Sequence, residues 1–162
     1  MKAFTLALAM TAGSAAAQDA LVDFQVLTPE LALRAAVAAM ETCRDQGYQV
    51  GVTVVDRSGL PQAFVRDRFA GLHVYETSRR KAWTAVSFRT ATSDLAASTE
   101  AGQISSGIRL LSEALPLGGG LMINEGGGGM VGGIGVSGAP GPDLDEICAE
   151  AGIAAIADDI AF

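Results

Sequence analysis

One histidine, two cysteines and one tryptophan are all that this chain of 162 residues has of those types, and the scarcity excludes chemistry before any pattern is read. A single imidazole, His73, with two distant thiols, Cys43 and Cys148, cannot assemble a structural zinc tetrad. No Gly-Lys-Ser or Gly-Lys-Thr occurs, so there is no P-loop. Gly135-Val136-Ser137-Gly138-Ala139 falls one residue short of a nucleophile elbow and has no histidine after it, which argues against acyl hydrolysis. Positive charge is sparse, 11 Lys+Arg against 18 Asp+Glu, so the counterion-release drive toward nucleic acid is missing. Aromatics are 6% and hydrophobic residues 49%, which excludes disorder and leaves a core of Ala, Val, Leu and Ile.

What is present starts with a leader. Lys2 precedes the apolar run Ala3 to Met10, and Ala15-Ala16-Ala17 closes it with small residues. These are the three parts of a cleavable secretory signal, and the run is too short for a membrane span. Residues 1–17 are therefore expected to be removed and the protein to work in the periplasm or outside the cell. Residues 18–162 are expected to form a single domain with no membrane span.

Along that domain, Thr28-Pro29-Glu30 opens a helix with Thr as N-cap and Pro at the first helical position, and Gly47 ends it. Leu33, Ala36, Met40 and Cys43 form its apolar stripe. The β-branched run 48–56 reads as a buried strand, Asp56-Arg57-Ser58-Gly59 as a turn, and 62–68 as the returning strand. A second helix spans 73–88. Val74, Ser78, Ala82 and Ala85 face the sheet, beside a polar face of His73, Thr77, Arg80 and Thr84. Short helical pieces follow between 92 and 115, then strands at 121–124 and 130–136. A last helix starts after Pro142, with Asp143 as N-cap and Glu146 completing a capping box. The order α-β-β-α-(α)-β-β-α predicts an α/β (α+β) fold, an antiparallel sheet with helices packed on it.

Gly133-Ile134-Gly135-Val136-Ser137-Gly138 matches G-x-G-x-x-G, but no helix and parallel strand follow, so a glycine-rich strand end is the better reading. Asp143 and Glu146 stand one helical turn apart. That spacing suits a cap better than an iron-binding acidic pair. Arg57, Arg66, Arg68, Arg79, Arg80, Lys81 and Arg89 cluster around the only histidine, a pattern open to two readings: a place for an anionic ligand or a solvated helix face.

Taken together, the stretches 54–59, 66–71, 80–85, 132–138 and 145–152 resemble the GlcG/HbpS family of haem-binding proteins, in the right order along nearly the whole domain. The resemblance implies a profilin-like fold, assembly into homo-oligomers, and for some members haem binding or help in its degradation. It implies a tetrapyrrole, haem, as the small-molecule ligand here. In that setting His73 is the strongest available iron ligand, and Arg66, Arg68 and Arg80 are candidates to pair with the propionates. Gly133, Gly135 and Gly138 would serve close packing or subunit contact.

A profilin-like fold would place the first and last helices on one sheet face. Cys43 continues the stripe of the first, and Cys148 lies four residues after Leu144 on the last. A Cys43–Cys148 disulfide is expected on those grounds, with two buried free thiols as the alternative. The expected function is an exported haem-binding protein for sequestration, transfer or protection. The alternatives are an enzyme that opens the haem ring or works on a small organic acid, and a non-catalytic oligomeric assembly module.

Overall fold

The structure, a computed structural model, describes residues 22–162. The expected leader, residues 1–17, lies outside them. Helix α1 (Pro29–Asp45) begins as the sequence proposes: the Thr28 hydroxyl accepts from the Leu31 amide at 3.3 Å and Pro29 opens the first turn. Gly47 follows with a positive φ of 85°, a left-handed position that suits glycine. The buried stripe of α1 is Ala32, Ala35, Ala36, Ala39 and Cys43, while Leu33 is 48% exposed, contrary to expectation. Packing distance explains the difference. Helix α4 (Pro142–Ala154) lies so close that a Cβ on its Gly152 would meet the Ala35 carbonyl oxygen at 2.7 Å, so only alanine-sized side chains fit between them.

The strands β1 (Gly51–Asp56), β2 (Pro61–Arg66), β3 (Gly120–Asn124) and β4 (Met130–Ser137) form one antiparallel sheet in the order β2-β1-β4-β3. Helices α2 (Val74–Phe88) and α3 (Thr92–Ser98) lie between β2 and β3 in the chain, with single turns of 3-10 helix at Ser106–Leu110 and Ala157–Ile160. This is the expected element order. Strand β2 stops at Arg66, two residues earlier than expected, because the Asp67 carboxylate accepts from the Arg68 amide (2.7 Å) and from Arg44 Nε (2.8 Å) and turns the chain off the sheet.

Alternate residues of β1 and β4 face opposite sides, as period two requires. Val52, Val54, Ile134 and Val136 join the main core under α1 and α4. On the other side Val55 packs with Ala82 and Val86 of α2, and the Thr53 hydroxyl lies 2.7 Å from that of Ser78. Gly133 and Gly135 face this side too. A Cβ at Gly135 would stand 2.1 Å from the Ser78 carbonyl oxygen, and one at Gly133 2.5 Å from Val86. The close approach these glycines permit is that of α2 onto β4 within the chain, rather than contact between subunits.

The last helix departs from expectation at its start. Gly141, not Asp143, is the N-cap of α4, and no side chain caps it. Pro142 takes the first helical position, which leaves the residue before it as the cap. Cys43 and Cys148 form a disulfide between α1 and α4, with Cα atoms 5.6 Å apart and both residues fully buried. No helix among the described residues is long and apolar enough to cross a membrane.

Candidate functional site

His73, Thr77 and Lys81 follow one another at intervals of four along one side of α2. Their row borders a cavity of about 390 Å³ whose other walls are Leu117, the segment from Ser137 to Pro142, and Asp145. Because Gly133 and Gly135 let α2 rest on the backbone of β4, the row faces the end of that strand and the loop into α4.

The inner end of the cavity holds a buried ion pair. Lys81 Nζ donates to Asp145 Oδ2 at 2.7 Å and to the Val136 carbonyl at 2.9 Å, with the side chains 1% and 5% exposed. Burial pulls the Lys81 amine below its ordinary value and pushes the Asp145 carboxyl above the usual carboxylate range. In each case the partner's charge opposes the shift. Asp145 Oδ1 also accepts from the Ala139 amide at 2.9 Å, a bond that favours the carboxylate and pins the loop forming the outer wall. Beside it Glu146 accepts from the Ser93 hydroxyl (2.8 Å) and the Gly119 amide (3.1 Å). The expected capping box of Asp143 and Glu146 is therefore absent, since Glu146 is spent on two loops.

Nearer the mouth the Thr77 hydroxyl lies 2.6 Å from Ser137 Oγ and 3.0 Å from the His73 carbonyl. His73 itself is exposed, and its ring makes no hydrogen bond among the described residues. Directly before it, Phe69 and Leu72 are 80% and 93% exposed. A second cavity of about 450 Å³ adjoins the first across Leu117 and Pro142, with Ala96 and Ile147 among its apolar walls.

The cationic cluster read from the sequence is dispersed by the fold. Arg66 is exposed at the end of β2, and Arg68, also exposed, stands 3.7 Å from Asp67. Both belong with His73 to the stretch leading from β2 into α2. Arg80 turns to another loop and donates to the carbonyls of Glu113 (3.3 Å) and Ala114 (2.7 Å). Arg79 pairs with Glu76 and Glu113. Arg57 lies over the Phe24 ring, 3.8 Å from its centre. None of Arg66, Arg68 and Arg80 lines the cavity of His73. Among the described residues no group of three or more His, Cys, Asp or Glu could hold a metal ion.

Sequence reasoning missed the Lys81–Asp145 pair, having counted Lys81 with the surface cations. A signal was available. Lys81 is three residues after Ser78 and four before Ala85, on the small-residue stripe that packs against the sheet.

The Arg44–Asp67 pair holds the base of the connection that carries Arg68 and His73. Asp67 is 2% exposed, and the Arg44 hydrogen bond first, then the Arg68 amide, keep its carboxyl below the usual range against the effect of burial. A carboxyl depressed by folding stabilises above its unfolded pKa of about 3.9 and loses that contribution as pH falls through the lower folded value. Asp67→Asn should therefore cost stability at pH 7, with the gap to the parent narrowing below about pH 4. Urea unfolding at a series of pH values measures it, and a gap independent of pH would contradict it.

The family described as "Haem degrading protein HbpS-like" matches residues 27–154. The chain belongs to the HbpS-like family. Among solved structures, a double mutant of HbpS from Streptomyces reticuli is 39% identical, with 90% of this chain and 97% of that one covered and a TM-score of 0.78. ORFY from Klebsiella pneumoniae is 25% identical over 86% and 96% of the two chains, with a TM-score of 0.81. PduOC, solved as a complex with heme, is 30% identical over 81% and 95%, with a TM-score of 0.73. No curated protein sequence matches. The HbpS-like match at residues 27–154 includes α2, β4 and α4, which build the cavity.

Proposed function

We propose that this chain is an exported haem-binding protein that sequesters, transfers or protects the tetrapyrrole. The observation that carries the reading is the relationship to PduOC, a heme complex of the same fold at 30% identity. The residues present suit the group. His73 offers an imidazole spent on no other bond among the described residues, imidazole being a common axial donor. Leu117, Ala139 and Pro140 in the cavity, with Phe69 and Leu72 exposed outside it, offer apolar surface for a flat macrocycle. Arg66 and Arg68 are the exposed cations for the propionates, whereas Arg80 acts through the loop its guanidinium holds. Haem, when bound, supplies an iron centre able to react with oxygen species.

Titrating the mature protein with haemin tests the reading. A saturable shift of the Soret band is expected. His73→Ala should move the band and weaken binding, while Arg66→Ala and Arg68→Ala should weaken binding without moving it. An unchanged band and affinity in His73→Ala removes the histidine from the site. No haem binding at all favours a non-catalytic assembly module.

The family's description as haem degrading favours one further reading, an enzyme that opens the ring. With a reductant and oxygen, a degrading enzyme would bleach the Soret band and release iron, whereas a carrier would retain both.

The binding form is a homo-oligomer in this proposal. Ile104 and Leu110, both in the connection between α3 and β3, are 102% and 88% exposed, apolar side chains that a neighbouring subunit would cover. Light scattering at micromolar concentration should give a multiple of the chain mass, and a monomer mass would refute it.

A further inference from the structure

The cavity beside α2 has an inner end that the haem reading leaves unused. Lys81 is there, buried to 1% exposure yet lining the cavity. It is the only lysine after Lys2. A lysine ammonium has three N–H donors. Two go to Asp145 Oδ2 and the Val136 carbonyl, and the third has no acceptor among the described residues. The residue after Val136 is Ser137, whose hydroxyl also lines the cavity and is 5% exposed as a residue. Thr77 has one proton for two acceptors, the His73 carbonyl at 3.0 Å and Ser137 Oγ at 2.6 Å; when it takes the shorter bond, to Ser137, the Ser137 proton is left for something in the cavity.

In that hydrogen-bond order two donors have no acceptor among the described residues, which calls for a ligand oxygen, and the surrounding charge selects its kind. Asp145 neutralises Lys81, and Glu146 is close enough to act on the lysine as well. A carboxylate entering here would meet those acids at low dielectric, while an uncharged oxygen meets only the donors. We propose that the inner end of the cavity is a binding site for the carbonyl oxygen of a small aldehyde or ketone, received between the Lys81 ammonium and the Ser137 hydroxyl. The site is independent of the haem reading. It lies on the third member of the row His73, Thr77, Lys81 and uses none of the residues assigned to haem.

The test uses haem-free mature protein labelled with nitrogen-15, with butanone as probe and butyrate as the charged comparison. Butanone should shift the amide signals of Ala139 and Gly138 saturably and at lower concentration than butyrate. Ser137→Ala should weaken butanone binding about threefold to tenfold, the effect of one hydrogen bond. The double variant Lys81→Met/Asp145→Leu removes the ammonium without leaving a lone buried charge, and should abolish the response. Borohydride added with butanone should leave Lys81 unmodified on peptide mapping, because the lysine acts as an ammonium donor. Stronger binding of butyrate, unchanged affinity in Ser137→Ala, a response surviving in the double variant, or a reduced adduct on Lys81 would each overturn the proposal.

Discussion

Lys81→Met should lower the unfolding free energy by about 3–5 kcal/mol, the usual cost of stranding one member of a buried ion pair. Asp145 would keep its Ala139 hydrogen bond but lose the ammonium 2.7 Å away, leaving a carboxylate only 4% exposed without its counter-charge. Lys81→Met/Asp145→Leu should recover most of that loss, because a pair exchanged for apolar groups leaves no unpaired charge. A residual cost of about 1–3 kcal/mol is expected from the Ala139 amide left without its acceptor. Urea unfolding of the parent, both single variants and the double variant completes the cycle. Additive losses in the double variant would mean that the two residues do not stabilise the fold as a pair.

Cys43→Ala/Cys148→Ala should remove up to about 4–5 kcal/mol, the chain-entropy value for a closed loop this long. The bridged residues are 105 apart, so the unfolded chain loses much freedom when they are joined. The two alanines are accommodated because the neighbouring positions on α1 are already Ala35, Ala36 and Ala39. Reduction of the parent should reproduce the loss under denaturing conditions, and thiol counting on denatured, unreduced protein should find no free thiol. A double variant within about 1 kcal/mol of the parent would show that residual structure already confines the unfolded chain.

Both bonds join distant parts of the chain, yet they were unequally legible in the sequence. The disulfide could be anticipated because each cysteine continues an apolar helical stripe and the family fold places both helices on one face. The ion pair could not be, because charge patterning reads a lysine beside Arg79 and Arg80 as surface. Only the packing of α2 shows that Lys81 falls on the inner side and that Asp145, 64 residues on, reaches it. Local rules served well where a local rule decides, as with Thr28-Pro29 at the start of α1. The same rule applied to Gly141-Pro142 gives the true start of α4, and Asp143 misled because an acid in a first turn resembles a cap. The misreading of Leu33 has a different origin. Hydrophobicity alone ranks leucine above alanine for burial, but the small gap between α1 and α4 reverses the order. The row His73, Thr77, Arg80 and Thr84 was read as one polar face, and the fold divides it, burying Thr84, whose hydroxyl accepts from the Leu115 amide. His73 and Thr77 open on the cavity while Arg80 secures the loop at 113–114.

The seating of α2 on Gly133 and Gly135 also limits how the cavity could be altered, by selection or by a protein engineer. One wall stands on main chain, where even a methyl group would force the whole helix outward and carry His73, Thr77 and Lys81 with it. The opposite wall, the loop 138–142, is fixed at Gly138, where φ is 129° and an added Cβ would stand 2.6 Å from the Gln49 carbonyl oxygen, but the side chains of Ala139 and Pro140 can be exchanged at far smaller cost. New ligand preferences should therefore arise by substitution in that loop, and libraries aimed at positions 133 and 135 should yield mostly unfolded protein.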